Sequence, residues 1–214
     1  MQKETYFTPE TIHSKSSDML ASLASFRKRH ENIVFDVGRA ALLVLDMQEY
    51  FLREDSHAFI PSAPVVIPNI QLLINAFHAH KRPVICTRHS NTNMDAGMMS
   101  LWWKDLLRGE SQNSEITPAL DCSNGIVIQK SQYDAFHNSP LEQILRENKV
   151  EQVVVTGVMT HLCCETTARS AFVRGFQVFF TIDGTATYNE ALHRASLLTL
   201  SHGFALSVLA KEIP

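Results

Sequence analysis

Three side chains that could do chemistry together follow short apolar runs in the sequence. Asp46 follows the run AALLVL, Lys130 ends the run GIVIQK, and Cys163 comes shortly after EQVVVTG, where a helical pattern begins. A cysteine thiolate is a strong nucleophile, and a neighbouring ammonium favours the thiolate over the thiol. Taken singly, the three residues have ordinary explanations: a turn or capping residue, a solvated lysine and a small buried side chain. Their shared position at strand ends is what indicates a site.

The adjacent cysteines Cys163 and Cys164 fall on different sides of a helix that begins near Leu162. The helix line from Cys164 is apolar and continues through Ala168, Ala171 and Phe172, whereas the line from Cys163 is polar and continues through Thr167, Ser170 and Arg174. We therefore predict that Cys164 packs in the core and that Cys163 is the exposed thiol. The helix N-terminus and Lys130 favour the Cys163 thiolate. Asp46 opposes it, and we expect a net lowering of the pKa of Cys163.

The elements that must position these residues alternate along the chain. Six short apolar runs predict strands at residues 40–46, 83–87, 125–130, 151–157, 177–183 and 204–209. Helical patterns fall between them at residues 68–81, 139–148, 162–175 and 189–203. This alternation predicts an α/β protein with a three-layer α/β/α Rossmann-like fold and a six-stranded parallel sheet. Such sheets bind ligands at the carboxyl ends of their strands, so Asp46, Lys130 and Cys163 should meet there.

Two stretches stand outside this alternation. Residues 1–38 predict an N-terminal helical arm, with Thr8 as its cap and Pro9 at the first helical position, and residues 39–214 predict a single domain. Residues 90–124 are polar and irregular, and we interpret them as a long connection that faces the substrate.

Composition excludes several classes of function. The net charge of −3 and the absence of a basic stripe predict no nucleic-acid partner. No apolar run approaches the roughly 18 residues of a membrane span, so no membrane partner is predicted. The first residues lack the apolar stretch of a secretory signal, and the four cysteines lack disulfide-framework spacing, which predicts a cytoplasmic protein with reduced thiols. Motifs for nucleotides or metals are missing, which predicts no cofactor.

Four stretches, in this order, make the chain similar to one known family. They are LLVLDMQEYFL at 42–52, KSQYDAFHNSPLEQIL at 130–145, VVVTGVMTHLCCETTARSAFVRGFQVFF at 153–180 and DGTATYNEALHRASL at 183–197. On these motifs the chain resembles the isochorismatase-like cysteine hydrolases, which include isochorismatases, nicotinamidases and N-carbamoyl amidohydrolases. The motifs are specific to the superfamily and do not identify a substrate.

The resemblance implies a set of functional residues. The family's catalytic triad maps onto Asp46, Lys130 and Cys163, which agrees with the argument from the helix faces. The family also implies a cis peptide bond between Val158 and Met159. Its oxyanion hole, formed by two backbone amides, maps onto those of Met159 and Cys163.

Two departures from the family pattern bear on the activity. Metal-binding nicotinamidases carry an Asp-x-His…His cluster after the first strand, whereas His57 is the sole histidine of that region here, so no metal is predicted. Isochorismatases lack a cysteine at the position of Cys163, and the cysteine therefore indicates acyl chemistry. We expect a hydrolase that cleaves a C–N amide bond of a small molecule through a thioester. The alternatives are an isochorismatase that cleaves a vinyl ether and a non-catalytic interaction subunit.

Aromatic and histidine side chains near the motifs are candidates for the substrate pocket. The candidates are His89, Trp102, Trp103, Tyr133, Phe136 and His161. Core packing is the favoured alternative for Phe136, and His161 has the alternative role of orienting the turn. The arm at residues 8–30 is amphipathic enough to need a partner surface, and related proteins form oligomers, so we also predict a homodimer or larger homo-oligomer.

Overall fold

A six-stranded parallel sheet forms the centre of the protein in the computed structural model, which describes residues 2–214. Its strands are β1 (Ala40–Leu45), β2 (Val84–His89), β3 (Ile126–Lys130), β4 (Gln152–Val158), β5 (Gln177–Ala186) and β6 (Leu206–Val208). They lie in the order β3-β2-β1-β4-β5-β6, and every neighbouring pair is parallel. The predicted α/β class and six-stranded parallel sheet are confirmed.

The central strands are buried on both faces. Every residue of β1 and of β4 is buried, because helices cover the two sides of the sheet. The helices are α1 (Ile12–Ser22), α2 (Ala24–Arg29), α3 (Glu49–Leu52), α4 (Ala63–Ala79), α5 (Met99–Trp102), α6 (Leu141–Glu147), α7 (Glu165–Val173) and α8 (Glu190–Gly203). Within residues 2–214, no helix is both long enough and apolar enough to cross a bilayer.

Helix α4 begins earlier than the sequence pattern predicted. Pro68, which was expected at its start, lies inside the helix, and the first turn contains Pro64 instead. Pro68 lacks the N–H group that would bond to the carbonyl of Pro64. The helix nevertheless continues because Ala63, Val66 and Ile70 bury an apolar face against the core.

The N-terminal arm packs on the protein's own core. Met19 of α1 and Leu23 are buried, and the ring of Phe35 lies edge-on to Phe179 of β5 with centroids 5.0 Å apart. The apolar face of the arm is therefore covered by other parts of the same chain. The amphipathic arm is thus no longer an argument for contact with a second subunit. The division of the chain at residue 38 and the homo-oligomer both stay predictions.

Cys86 and Cys122 form a disulfide in the structure. The prediction that all four thiols are reduced is therefore wrong for this pair. Cys86 lies on β2 and Cys122 in the connection before β3, and parallel pairing of these strands brings the two residues together. Their separation of 36 residues gave no signal in the sequence, because the contact depends on tertiary structure. Cys163 and Cys164 are both free and buried.

Gly157 allows the carboxyl ends of β1 and β4 to approach closely. It pairs with Leu45 and has a φ of 108°, which is in the left-handed region that favours glycine. A Cβ atom on this residue would lie 2.0 Å from the carbonyl oxygen of Leu45. The absence of a side chain at Gly157 therefore sets how closely the segment after β4 approaches Asp46.

Replacing Gly157 with alanine is expected to destabilise the protein by about 3 kcal/mol or more, because both the backbone angle and the clash are unfavourable. Gly203→Ala is the matched control, since a Cβ there would meet no atom of the described residues within 4 Å. That change, in helix α8, is expected to be neutral or stabilising by up to about 1 kcal/mol. Urea unfolding measures both, and equal midpoints for the two variants would contradict the argument.

Candidate active site

Asp46, Lys130 and Cys163 lie in direct contact at the carboxyl edge of the sheet. Lys130 Nζ lies 2.8 Å from Asp46 Oδ2 and 3.4 Å from Cys163 Sγ. The side chains of Asp46 and Lys130 are completely buried, and Cys163 is 7% exposed. The ammonium thus bridges a carboxylate and a thiol, with a third contact of 2.9 Å to the carbonyl oxygen of Gln132.

Strand order explains how distant residues meet. The strand order reverses between β1 and β4: β2 and β3 are added on one side of β1, and β5 and β6 on the far side of β4. Asp46 follows β1 and Cys163 follows β4. This is the switch point at which open α/β sheets bind ligands. Lys130 ends β3, which is two strands away from β1, so its long side chain must cross the end of β2. Neighbouring strands are about 4.8 Å apart, a span that a lysine side chain can cover across one intervening strand.

Thr87 of β2 fixes the orientation of Asp46. Its hydroxyl accepts a hydrogen bond of 3.0 Å from the Asp46 backbone N–H and donates one of 2.5 Å to Oδ1. Both partners are fully buried, and Asp46 has a positive φ of 52°. The sequence analysis missed Thr87. Its signal was a polar residue at the end of the apolar run PVIC, on the strand beside β1.

The turn after β4 carries Cys163. Its peptide bond between Val158 and Met159 is cis, as the family resemblance predicted. Residues Thr160–Cys164 then form a single π-helical turn that leads into α7, in place of the predicted α-helix from residue 162. A π-helical turn often occurs at functional sites. Here it places Cys163 beside Lys130 and the thiol of Cys164 near the carbonyl oxygen of Thr156.

The prediction that Cys164 is buried and Cys163 exposed is confirmed only for Cys164. Cys164, Ala168 and Ala171 are fully buried, as the apolar line predicted, but Phe172 is 49% exposed. Cys163 is buried too, so the prediction of an exposed thiol is wrong. Its helix line faces the loop at residues 133–135, where Thr167 accepts a hydrogen bond from Ala135. Thr167, which is fully buried, is therefore polar because it makes a buried hydrogen bond.

Charge pairing dominates the ionisation of the two buried ionic groups. Burial is the largest single influence and would raise the pKa of Asp46, but the charge of Lys130 and the hydrogen bonds from Lys130 and Cys163 together outweigh it, and the pKa lies below its ordinary value. Burial likewise disfavours the charged form of Lys130, but Asp46 and Cys163 outweigh it and raise its pKa. Asp46 is therefore a carboxylate and Lys130 an ammonium at neutral pH.

The thiol of Cys163 is neutral in the resting site. Burial and the charge of Asp46 raise its pKa to about 12, although Lys130 acts in the opposite direction. The prediction of a lowered pKa is therefore wrong. It assumed an exposed thiol and gave Asp46 too little weight, since the carboxylate shares the ammonium that would stabilise the thiolate.

A cavity of about 170 Å³ opens beside Cys163. Its walls are mainly aromatic and apolar, from Tyr50, Phe51, Met99, Trp103, Leu106, Leu107, Tyr133, Met159, Leu162 and Tyr188. Polar groups are His57, His89, Asn91, Lys104 and Asp105. The connection at residues 90–124 supplies many of these, as expected of a segment that faces the substrate. The volume is below the roughly 300–1,000 Å³ of pockets for drug-sized ligands, which indicates a small substrate.

His89 brings an uncharged ring to the cavity. Burial and the neighbouring Lys130 charge lower its pKa to about 4. Its Nε2 lies 3.0 Å from Asn91 Oδ1, whereas Nδ1 is buried and finds no hydrogen-bond partner within residues 2–214. Because Nε2 donates to Asn91, Nδ1 carries no proton and is a buried acceptor without a partner in this part of the chain. Gln48, which sequence reasoning missed, fixes the backbone of His89 through hydrogen bonds to its N–H and carbonyl groups.

Trp103 and Tyr133 form one polar contact in the aromatic wall. The indole Nε1 donates a hydrogen bond of 2.6 Å to the Tyr133 hydroxyl oxygen. The hydroxyl proton of Tyr133 is therefore free to be donated elsewhere. Both candidates lie at the cavity, as predicted from the sequence.

The other three pocket candidates lie elsewhere. Trp102 is 74% exposed and lies outside the cavity lining, so its assignment to the pocket wall is wrong. It is the last residue of the short helix α5, whereas the next residue, Trp103, lines the cavity. Phe136 stacks on Phe176 in the core, the favoured alternative. His161 is half-buried, and its Nδ1 lies 2.6 Å from Thr187 Oγ1, an arrangement suited to orienting the turn.

The residues around His57 do not fit a metal. No group of three or more His, Cys, Asp or Glu side chains within residues 2–214 is arranged to hold one. Both ring nitrogens of His57 already have neighbours, the Tyr50 hydroxyl at 3.1 Å and Asp105 Oδ2 at 3.6 Å. We therefore derive no catalytic step through a metal.

The family model for the isochorismatase domain matches residues 40–212 of the chain. The chain belongs to the isochorismatase family. This confirms the resemblance found in the sequence motifs, and the protein is a hydrolase of that family. All three residues of the Asp46–Lys130–Cys163 cluster lie inside the matched region.

Relatives of this isochorismatase-family hydrolase differ in their named activities. Nicotinamidase 3 of Arabidopsis thaliana is 39% identical over 174 residues, which cover 79% of this chain and 84% of the relative. Enterobactin synthase component B of Escherichia coli (strain K12) is 33% identical over 182 residues, 84% of this chain and 64% of the relative. Among solved structures, a cysteine hydrolase from Pseudomonas syringae pv. phaseolicola 1448A has a TM-score of 0.80 at 28% identity, covering 84% of this chain and 92% of the other.

Proposed function

We propose that the protein hydrolyses a C–N amide bond of a small molecule, with Cys163 as nucleophile and a thioester intermediate. The observation that carries the proposal is the contact of one buried ammonium, Lys130 Nζ, with both Asp46 and the Cys163 thiol. A cleavage reaction without a nucleophile does not require a thiol at this position. A carboxylate, an ammonium and a thiol in contact are the parts that acyl transfer requires.

The first step moves a proton within the cluster. The Cys163 thiol gives its proton to the Asp46 carboxylate while Sγ attacks the carbonyl carbon of the amide. As Asp46 becomes neutral, the Lys130 ammonium stabilises the negative charge that develops on the sulfur, and this charge passes to the carbonyl oxygen as the C–S bond forms, so the net charge of the site is conserved. This coupling explains how a thiol whose pKa is raised to about 12 can act as the nucleophile, since the carboxylate that opposes its ionisation disappears in the same step.

The second step uses the backbone after β4. The developing oxyanion accepts hydrogen bonds from the amides of Met159 and Cys163, and losing one such donor typically costs about 3 kcal/mol of barrier stabilisation. Asp46 then protonates the leaving nitrogen, which departs as ammonia or an amine and leaves a thioester on Cys163. Asp46 next takes a proton from water, which attacks the thioester, releases a carboxylic acid and restores the thiol.

The cavity favours a small, flat amide. Aromatic side chains line a volume of about 170 Å³ beside Cys163, and His89 and Asn91 are among the polar groups of its wall. Two relatives are named as enzymes of amides, nicotinamidase 3 and the N-carbamoylsarcosine amidase of Arthrobacter sp, which is 27% identical over 148 residues. Carboxamides attached to a single ring, and N-carbamoyl amino acids, are therefore the substrates we propose.

A second candidate activity is cleavage of a vinyl ether. Enterobactin synthase component B and the isochorismatase of Bacillus subtilis, which is 28% identical over 184 residues, are both relatives. In that reaction Asp46 would act as a general acid and Cys163 would be idle. The low pKa of Asp46 disfavours it as the acid of a resting enzyme, which supports the amidase instead. A non-catalytic role is set aside because the family consists of hydrolases.

A substrate panel tests the proposal. Purified protein is incubated with ring carboxamides, N-carbamoyl amino acids and isochorismate, while release of ammonia, amine or pyruvate is measured. We expect ammonia or amine from at least one amide, together with a substrate-dependent mass increase on Cys163 in acid-quenched samples. Turnover of isochorismate alone, untouched by iodoacetamide, would favour the second candidate. A homo-oligomeric state and a cytoplasmic location remain predictions that this panel does not test.

A further inference from the structure

The first residues of the chain lie against the candidate active site. Residues 2–7, here called the N-terminal strap, run along the loop after β5: the N–H of Glu4 donates to the carbonyl oxygen of Tyr188 at 2.8 Å. The strap is anchored from the other side by Ser62, whose hydroxyl oxygen accepts hydrogen bonds from the N–H groups of Tyr6 and Phe7, each 3.0 Å. It lies outside the matched family region of residues 40–212, so its role is not explained by the family domain.

Tyr6 is the strap residue that reaches deepest. Its ring is buried, and its hydroxyl oxygen accepts a hydrogen bond of 3.0 Å from the backbone N–H of Thr187. The same oxygen lies 3.2 Å from Nδ1 of His193, a fully buried residue of α8. Because the oxygen already accepts from Thr187, the hydroxyl proton is available for His193.

Both partners of Tyr6 hold the turn that carries Cys163. His193 Nδ1 lies 3.0 Å from the hydroxyl oxygen of Thr160, and Thr187 Oγ1 lies 2.6 Å from Nδ1 of His161. Thr160 and His161 are consecutive residues of the π-helical turn, between Met159 and Cys163. One hydroxyl group is therefore tied to one turn in two ways: Tyr6 and Thr160 share the acceptor Nδ1 of His193, and Thr187 contacts both Tyr6 and His161.

The connection is rigid because its members are buried and aromatic. Thr160, Thr187 and His193 are each fully buried. The rings of Tyr6 and His193 have centroids 5.3 Å apart, and Phe7 lies edge-on to His193 at 5.5 Å. Burial lowers the pKa of His193 to about 3, so its ring stays uncharged and its hydrogen bonds are constant through the neutral range.

We propose that Tyr6 is a positioning residue of the active site, whose hydroxyl fixes the Thr160–His161 turn and thereby the amides of Met159 and Cys163. The N-terminal strap accordingly supports the active site from outside the cavity. Tyr6 touches neither the cavity nor the thiol, and it acts through His193 and Thr187. The proposal rests on the proposed function only in that its kinetic test needs an amide substrate.

The test compares Tyr6→Phe with Glu4→Ala, a change in the same strap. Tyr6→Phe removes one oxygen atom and keeps the ring, so we expect kcat to fall about five- to tenfold with KM changed less than twofold. Glu4→Ala loosens the same strap by removing the 2.6 Å hydrogen bond that the Glu4 carboxylate accepts from the Glu190 N–H, without touching Tyr6 or His193, so it should lower the unfolding midpoint and keep kcat within about twofold. An unchanged kcat in Tyr6→Phe, or an equal loss in both variants, would overturn the proposal.

Hydrogen exchange supplies a readout that needs no substrate. In Tyr6→Phe, peptides that cover residues 159–163 should exchange their amide hydrogens about tenfold faster than in the unaltered protein, while peptides of β1 stay unchanged. If no amide is hydrolysed by the unaltered protein, the proposed function fails, yet this exchange result still decides the role of Tyr6. Should Tyr6→Phe fail to fold, Thr187→Val removes the link to His161 alone and is expected to show the same local exchange. Unchanged exchange would overturn the proposal.

Discussion

Replacing Cys163 with alanine is expected to abolish amide hydrolysis, with kcat reduced by at least about 10⁴-fold, because no other group in the site can form the thioester. The fold should persist, since alanine removes only the sulfur atom, leaves a small gap and keeps the ion pair between Asp46 and Lys130. Steady-state release of ammonia or amine gives the rate. Circular dichroism and thermal unfolding check that the variant is folded.

Cys164→Ala is the matched control for the nucleophile. Cys164 is the adjacent residue, is fully buried, and contacts the carbonyl oxygen of Thr156 through its thiol at 3.8 Å. Its loss should cost about 1 kcal/mol of stability and leave turnover within about threefold. Equal loss of turnover in two folded variants would show that Cys163 is not specifically required.

Lys130→Met is expected to remove activity and to destabilise the fold by about 3–5 kcal/mol, because it leaves a fully buried carboxylate without its cation. Methionine keeps most of the side-chain volume, so the change removes charge more than packing. Asp46→Asn combined with Lys130→Met should recover much of the stability and none of the turnover. Denaturant unfolding at pH 7 measures the stabilities.

The stability of the single variant Lys130→Met should depend on pH. In the unaltered protein the pKa of Asp46 is lowered, so its stabilising contribution is present above the unfolded value of about 3.9 and is lost as the pH falls below it. Without Lys130, burial raises the pKa of Asp46, and protonation at lower pH relieves the penalty. The difference in unfolding free energy between the unaltered protein and Lys130→Met should therefore become smaller as the pH falls from 8 to 5. A gap that is independent of pH would mean that Asp46 and Lys130 are not coupled.

The strands of the sheet and the residues of the site were readable from the sequence to different degrees. Six apolar runs predicted six strands, because a strand buried on both faces must be apolar throughout. The motifs named the residues Asp46, Lys130 and Cys163, and the helix-face argument correctly put Cys164 in the core. These successes concern properties of a residue and its near neighbours in the chain.

Tertiary structure decided the chemical state of the site. Whether Cys163 is exposed, and how its pKa shifts, depends on burial and on a carboxylate 117 positions away in the sequence, 46 to 163. Contacts between distant segments also account for the pairing of Cys86 with Cys122 and for the role of Thr87. The turn's support by Tyr6 had no local signal either. Periodicity shows which face of a helix or strand is apolar, but not which side chains of other elements pack against that face. The energy of a buried charge depends on those side chains.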